Sequence, residues 1–334
     1  MPEATRTRAT IFDVAEAAGV SITTVSHVFS GKRRVNEATR QRVLDAAERL
    51  SYRPRAIARA LAAGRTNTLA LSIPFTGPDL LLNSFFQEFL PALSLAGLDR
   101  GLSFLYVPPD AAPELSAPLL DGRVDGVVLV LPDDHDPFVR TVLESGVPFI
   151  SIGPLRSDPA ARWISIDAGE MHDAVLGHLA ERGYERPALL SLEYKASAIE
   201  VQERAFRERA GADAPVVECS HMSERDGYEA ALEALSVEEP RPDALVCLGT
   251  GLAVGALRAC ADLELSVPDE MGIVSFGDGP EATHVDPQLT ALDLQPGRHA
   301  ELAIEYLAAT FRDEAPEAPV RVEANLVTRA STER

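Results

Sequence analysis

At 334 residues the chain exceeds one small domain and suits two or three packed units, with 46% hydrophobic and 25% charged residues, an ordinary globular composition. No apolar run approaches the roughly 18 residues that span a bilayer, and Met1-Pro2-Glu3-Ala4-Thr5-Arg6 lacks the apolar core of a secretory signal, which points to the cytoplasm. Cys219, Cys247 and Cys260 are odd in number, widely spaced and set in apolar stretches, so the expectation is buried free thiols rather than a disulfide or metal site. The net charge of −20 is unevenly placed. Residues 1–65 hold twelve Lys and Arg against six Asp and Glu, a head of +6 on a body of −26. A basic head flags nucleic acid as its partner, and an acidic body repels phosphates and confines contact to the head.

Thr10 with Asp13 reads as a helix N-cap with an acid in the first turn, followed by a short helix through Ala18. Gly19 ends it in a left-handed turn, Val20 packs inward, and Ser21 caps a second helix through Thr24, Val25, Ser26, His27, Val28 and Phe29. Ala15, Gly19 and Val25 thereby take the spacing of a helix-turn-helix: a small residue for close crossing, glycine for the turn, an aliphatic residue to lock the second helix. Asn36 caps a third helix, Glu37 to Leu50, with Val43, Ala46, Ala47 and Leu50 on one apolar stripe. After Ser51-Tyr52-Arg53-Pro54, the segment Arg55–Leu61 has length for about two helical turns, too short to be stable alone in water.

The run Thr10–Ser21, Thr24-Val25-Ser26, Val35-Asn36, Thr39-Arg40, Tyr52-Arg53-Pro54 and Ala58-Arg59-Ala60-Leu61 resembles the lac repressor (LacI/GalR) family, almost unbroken over the first 65 residues and more loosely to the C-terminus. The resemblance implies an all-α helix-turn-helix head on an α/β periplasmic-binding-protein-like core of two Rossmann-like lobes. It assigns the head to residues 1–54, a hinge helix and linker to 55–67, and the core to 68–334. Ser21, Ile22, Thr23 and Ser26 would face the major groove, with Thr10, Thr24, Asn36, Tyr52 and Ala58 among the other DNA contacts. His27 stands where the family usually has arginine, and it lacks the bidentate fork that reads guanine. Arg33, Arg34 and Arg40 would hold phosphates, which position without specifying. Leu61 would wedge into the central base step of the minor groove, and a two-fold homodimer would require a palindromic operator in double-stranded DNA.

From Thr68 onward, short aliphatic runs alternate with helical stretches. The strand candidates are Leu69–Ile73, Leu102–Val107, Gly126–Leu131, Phe149–Ile152, Trp163–Ile166, Ala188–Leu192, Pro215–Cys219, Ala244–Leu248, Gly272–Phe276, Thr290–Leu294 and Val320–Thr328. Apolar strands separated by helices indicate parallel sheets covered on both faces, and this many suggest two sheets with a ligand cleft at their strand ends. With the family's pattern, the lobes fall at about 68–165 with 293–317 and 166–292 with 318–334, crossing near 165, 292 and 318.

No catalytic motif is present, so the chain reads as no enzyme, with no cofactor and no metal. Gly249-Thr250-Gly251 reads as a tight strand-to-helix turn more than an anion cradle. His172, His178, His221, His284 and His299 are scattered without ligand spacing, which predicts surface or capping positions, and Trp163 reads as core. Asn83-Ser84-Phe85-Phe86 resembles the family's N-P-F-F, whose aromatics line the effector cleft. Gln202, Thr250, Phe276 and Asp278 complete the candidate pocket. Against sugar-binding members, Gln202 replaces an arginine, Gly249-Thr250 an Asn-Asp, Gly277-Asp278 an Asp-Asp pair, and Gly153 an aspartate. A cleft short of hydroxyl-gripping forks predicts an effector other than a free hexose, or weak effector binding.

The expectation is therefore a sequence-specific regulator, a repressor of a metabolic operon controlled by a small molecule in the cleft. Two alternatives remain: a core that answers to a protein co-regulator, and a transport-type binding protein, disfavoured by the basic head. The closing Ser331-Thr332-Glu333-Arg334 shows no leucine heptad, which favours a dimer over a tetramer.

Overall fold

The computed structural model describes residues 9–30, 33–52, 65–75, 83–108, 120–158, 160–236, 240–314 and 316–334. The chain divides into two compact units, Met1–Thr68 with Asp121–Asp125, and Leu69–Leu120 with Gly126–Arg334. Among the described residues no helix is long and apolar enough to cross a membrane.

The first unit carries three helices, α1 (Ile11–Ala18), α2 (Ile22–Ser30) and α3 (Glu37–Arg49). Thr10 and Asp13 form a reciprocal capping box: the Asp13 N–H donates to the Thr10 hydroxyl, and the Thr10 N–H donates to the Asp13 carboxylate at 2.7 Å. Gly19 ends α1 at φ 64°, its N–H returning to the carbonyls of Ala15 and Glu16. Ser21 accepts from the Thr24 N–H at 3.1 Å, and Asn36 from the Ala38 N–H at 2.9 Å, so the second and third helices are capped as their sequences dictate. Val14, Ala15, Ala18, Val25, Val43, Ala46 and Ala47 make one buried core. Leu50, expected on the same stripe, caps α3 instead and is exposed, because the helix ends a residue earlier.

The second unit contains two six-stranded sheets. Lobe 1 is built on β1 (Thr68–Ser72), β2 (Ser103–Val107), β3 (Gly126–Val130), β4 (Phe149–Ile152), β5 (Trp163–Ser165) and β11 (Val320–Arg321), in the order β2-β1-β3-β4-β5-β11. Lobe 2 repeats that plan with β6 (Pro187–Leu192), β7 (Val216–Cys219), β8 (Ala244–Cys247), β9 (Gly272–Phe276), β10 (Thr290–Asp293) and β12 (Asn325–Val327), in the order β7-β6-β8-β9-β10-β12. β3, β4, β8 and β9 are buried along their whole length, as parallel strands covered by helices on both faces must be. Helices α4 (Ser84–Leu98), α5 (Pro137–Ser145) and α11 (Pro296–Thr310) belong to lobe 1. Helices α6 (Ala168–Glu181), α7 (Ser197–Ala210), α8 (Glu224–Leu235), α9 (Thr250–Asp262) and the short α10 (Glu281–His284) belong to lobe 2.

One expected element divides. The strand read over 320–328 is β11, parallel to β5 in lobe 1, and then β12, antiparallel to β10 in lobe 2. The third crossing therefore lies at 322–324 and not near 318. Residues 318–321 go with lobe 1, because a single strand cannot pair with the edges of two separate sheets. Helices α8 and α9 cross with their backbones in contact: a Cβ on Gly255 would lie 2.0 Å from the Glu224 carbonyl oxygen, and one on Gly227 2.3 Å from that of Leu252. Those glycines set how closely α9 beds against its neighbour, and with it where the cleft-lining turn at its start is held.

Candidate DNA-reading surface and effector cleft

On α2, Val25 is fully buried against the core of the head, which turns the opposite face outward. Ser21, Ile22 and Thr23 are exposed at its start, and Thr24, Ser26 and His27 are half-buried. Ile22 presents an aliphatic side chain to solvent, 41% exposed. Arg33, Arg34 and Arg40 are exposed, Arg40 making only a surface pair with Glu37 at 3.4 Å. Four of the candidates also hold the head together. The Thr10 and Ser21 hydroxyls and the Asn36 amide are engaged in helix caps, and the half-buried Tyr52 ring lies 5.9 Å from Phe29. Ala58 and Leu61 lie outside the described residues. Sequence reasoning passed over Phe12, an aromatic on α1 that is 65% exposed. It lies off the buried Val14, Ala15, Ala18 stripe of α1.

In the second unit a cleft lies between the lobes at the carboxyl ends of their strands. Lobe 1 supplies Asn83, Ser84, Phe85 and Phe86 from the start of α4, Leu131 after β3, Ile152 and Gly153 at β4, Ser165 at β5, and Leu294 and His299 near α11. Lobe 2 supplies Ile166, Met171, Ala198, Ile199, Gln202, Met222, Phe276 and the turn from Leu248 to Gly251. Of the sequence candidates, Asn83, Phe85, Phe86, Gln202, Thr250 and Phe276 come together here. Asp278 does not: its carboxylate pairs with Arg329, at 2.7 and 2.8 Å to the two terminal nitrogens, and it lines an adjoining hollow that shares Ser84, Phe85 and Leu294 with the cleft. Leu131, Ile152, Ile166, Met171 and Met222 were not singled out by sequence, although most follow a strand end.

Three histidines depart from the surface or capping roles expected of them. His172 is 0% exposed, packed between Phe206 and Phe276, and burial together with the charge of Arg209 brings its imidazole down to about 4. His299 is buried at the cleft, and burial lowers its pKa. His178 is buried against the C-terminal turn, where its Nε2 lies 2.8 Å from the Thr332 hydroxyl. Local periodicity cannot reveal this, because each histidine replaces an apolar residue on the inner face of a helix. The turn after β8 needs its glycine for packing: a Cβ on Gly251 would lie 2.3 Å from the Met222 carbonyl oxygen. Trp163 is half-buried in β5 and does not line the cavity. All three cysteines are buried free thiols, and among the described residues no His, Cys, Asp and Glu cluster could hold a metal.

Beside the cavity the lobes are clasped. Arg156 of lobe 1 pairs with Glu200 of lobe 2, and the Ser197 hydroxyl donates to Asp134. Partial burial opposes ionisation of Asp134. Hydrogen bonds from Ser197 and Ser157 and the Arg156 charge outweigh it and hold the carboxyl below its usual range. Deeper in, the Ser84 and Thr250 hydroxyls meet across the lobes at 3.1 Å, and the rings of Phe75 and Tyr194 at 5.7 Å.

Comparison with known proteins accords with both parts. Residues 10–55 match the family model of bacterial regulatory proteins, lacI family, and residues 176–332 that of a periplasmic binding protein-like domain. The chain is 27% identical over 293 residues to catabolite control protein A of Staphylococcus epidermidis, covering 86% of this chain and 87% of that protein. The same-named protein of Staphylococcus xylosus is 28% identical over 296 residues, with the same coverage. Among solved structures, the transcriptional regulator CelR in complex with cellobiose aligns at 26% identity and TM-score 0.71, covering 97% of this chain and 100% of that one. The lac repressor dimer bound to operator and the anti-inducer ONPF shares the fold at TM-score 0.84 and 21% identity, covering 98% and 99%. With a capped three-helix head and two matching α/β lobes, the chain carries a lacI-family DNA-binding domain followed by a periplasmic binding protein-like domain, the make-up of a DNA-binding transcriptional regulator.

Proposed function

We propose that this regulator binds a palindromic operator in double-stranded DNA as a homodimer and represses the adjoining metabolic genes, with a small molecule in the inter-lobe cleft setting its affinity. The observation that carries this reading is the cleft: two lobes of equal topology close on one cavity and touch through few polar bridges, so a ligand that prefers one lobe arrangement shifts the population toward it. Among the described residues nothing in the lining pairs a nucleophile with a base, which supports a binding role over an enzymatic one. Repression follows from occupancy of the operator itself, and a protein that grips genomic DNA works in the cytoplasm.

In the head, Ser21, Ile22, Thr23, Ser26 and His27 are the residues to reach base edges, and Arg33, Arg34 and Arg40 those to neutralise phosphates. Phe12 joins them as an apolar contact. The second copy is best received by lobe 1, where Leu95 and Leu98 on α4 and Leu105 and Tyr106 on the sheet-edge strand β2 are all exposed. Sedimentation with and without a Leu98→Glu substitution tests this: the parent is expected as a dimer, and the variant as a weakened one. A parent that sediments as a monomer even on operator DNA contradicts the dimer.

A further inference from the structure

The cleft has few free hydrogen-bonding groups to offer a ligand. Among the described residues none of its lining side chains carries a charge, and most of its polar atoms are already taken. Asn83 accepts from the Phe85 N–H at 2.9 Å and donates to the Met222 sulfur at 2.6 Å. Thr250 meets Ser84 and donates to the Gly277 carbonyl at 3.0 Å. Gln202 differs. Its Nε2 donates to the Met171 sulfur at 3.2 Å, while its Oε1 is buried and makes no hydrogen bond. Behind it lies the wholly buried His172 ring, whose interaction with Gln202 opposes the lowering of its pKa but does not reach hydrogen-bonding geometry.

A buried acceptor without a donor is a standing cost that a ligand donor removes. A thioether is a weak acceptor, so the Gln202 amide is held in place by little and can adjust to an incoming group. By the same reasoning a molecule rich in hydroxyls would leave most of them facing aliphatic, aromatic and thioether side chains. An anion would meet no cation.

We infer that the cleft selects an uncharged, mainly apolar molecule with one hydrogen-bond donor, which Gln202 Oε1 accepts, and that it discriminates against free sugars and anions. This rests on the reading of the cleft as the effector site. The probe is N-phenyl-1-naphthylamine, a neutral fluorophore with a single N–H, titrated into the full-length protein. Saturable fluorescence is expected. Gln202→Leu should weaken it roughly five- to tenfold, as loss of one neutral hydrogen bond does, while 1-phenylnaphthalene, which lacks the donor, binds parent and variant alike. Ala198→Phe, which fills the cavity and leaves Gln202 in place, should abolish dye binding. Dye affinity unchanged in Gln202→Leu, dye retained in Ala198→Phe, or displacement of the dye by glucose, cellobiose or inorganic phosphate would overturn the inference. Operator binding measured alongside separates the two claims. Dye binding as described with no change in DNA affinity keeps the ligand class and contradicts the effector reading. DNA affinity that responds to a sugar keeps the effector reading and contradicts the class.

Discussion

His172 ties a stability prediction to a single side chain. Its imidazole is wholly buried and held near 4, against 6.5 when exposed. Between those values the unfolded chain binds a proton that the folded one refuses, so stability is full above about pH 6.5 and falls as the pH drops toward 4. The loss amounts to about 2–4 kcal/mol, and the lowered pKa values of His178 and His299 add in the same direction. Thermal unfolding between pH 7 and 5 should show a fall in Tm that His172→Phe lessens but, with His178 and His299 still in place, does not remove. A variant with the parent's slope would show that the burial of His172 does not set it. The Asp278–Arg329 pair is testable at the same scale. Both side chains are largely shielded, and Arg329 also donates to the Leu289 carbonyl at 2.8 Å. Asp278→Ala strands that cation and should cost about 2–3 kcal/mol in urea unfolding, whereas ligand affinity, if the residue lies outside the cleft, should not change.

Among the elements, the contact between α8 and α9 leaves no room for side chains. Gly255→Ala places a Cβ within 2.0 Å of a backbone oxygen that no rotamer change can move aside, so a loss of about 1–3 kcal/mol or more is expected from denaturant midpoints. An unchanged midpoint would mean that the two helices separate without penalty. These helices also show what a sequence conveys and what it hides. Caps at Thr10, Ser21 and Asn36 and the left-handed Gly19 are local chemistry, so the head was legible residue by residue. The strands of both sheets were legible as apolar runs. The division of 320–328 was not, because its alternation is the same whichever sheet receives each half. Likewise Asn83, Gln202 and Thr250 could be placed in the cleft by their resemblance to a family pattern. Asp278 was misplaced by the same reasoning, since its partner Arg329 is distant in sequence and only the fold joins them.

For the whole molecule, two features would act together: a cationic head that reads DNA and an anionic two-lobed body whose closure answers to a ligand. The clasp of Arg156 with Glu200 and of Ser197 with Asp134 links the lobes from outside the cavity. Glu200→Gln should therefore weaken ligand binding modestly by favouring the open arrangement, with the head's non-specific, salt-sensitive DNA affinity unaltered. As proposed, a dimer reads a two-fold site. Selection of bound duplexes from a randomised oligonucleotide pool at low ionic strength tests it most directly. The expected outcome is enrichment of an inverted repeat whose half-sites lose affinity when Ser21, Thr23 or His27 is replaced by alanine. Enrichment of no repeat, or of a single asymmetric site bound by one chain, would contradict it.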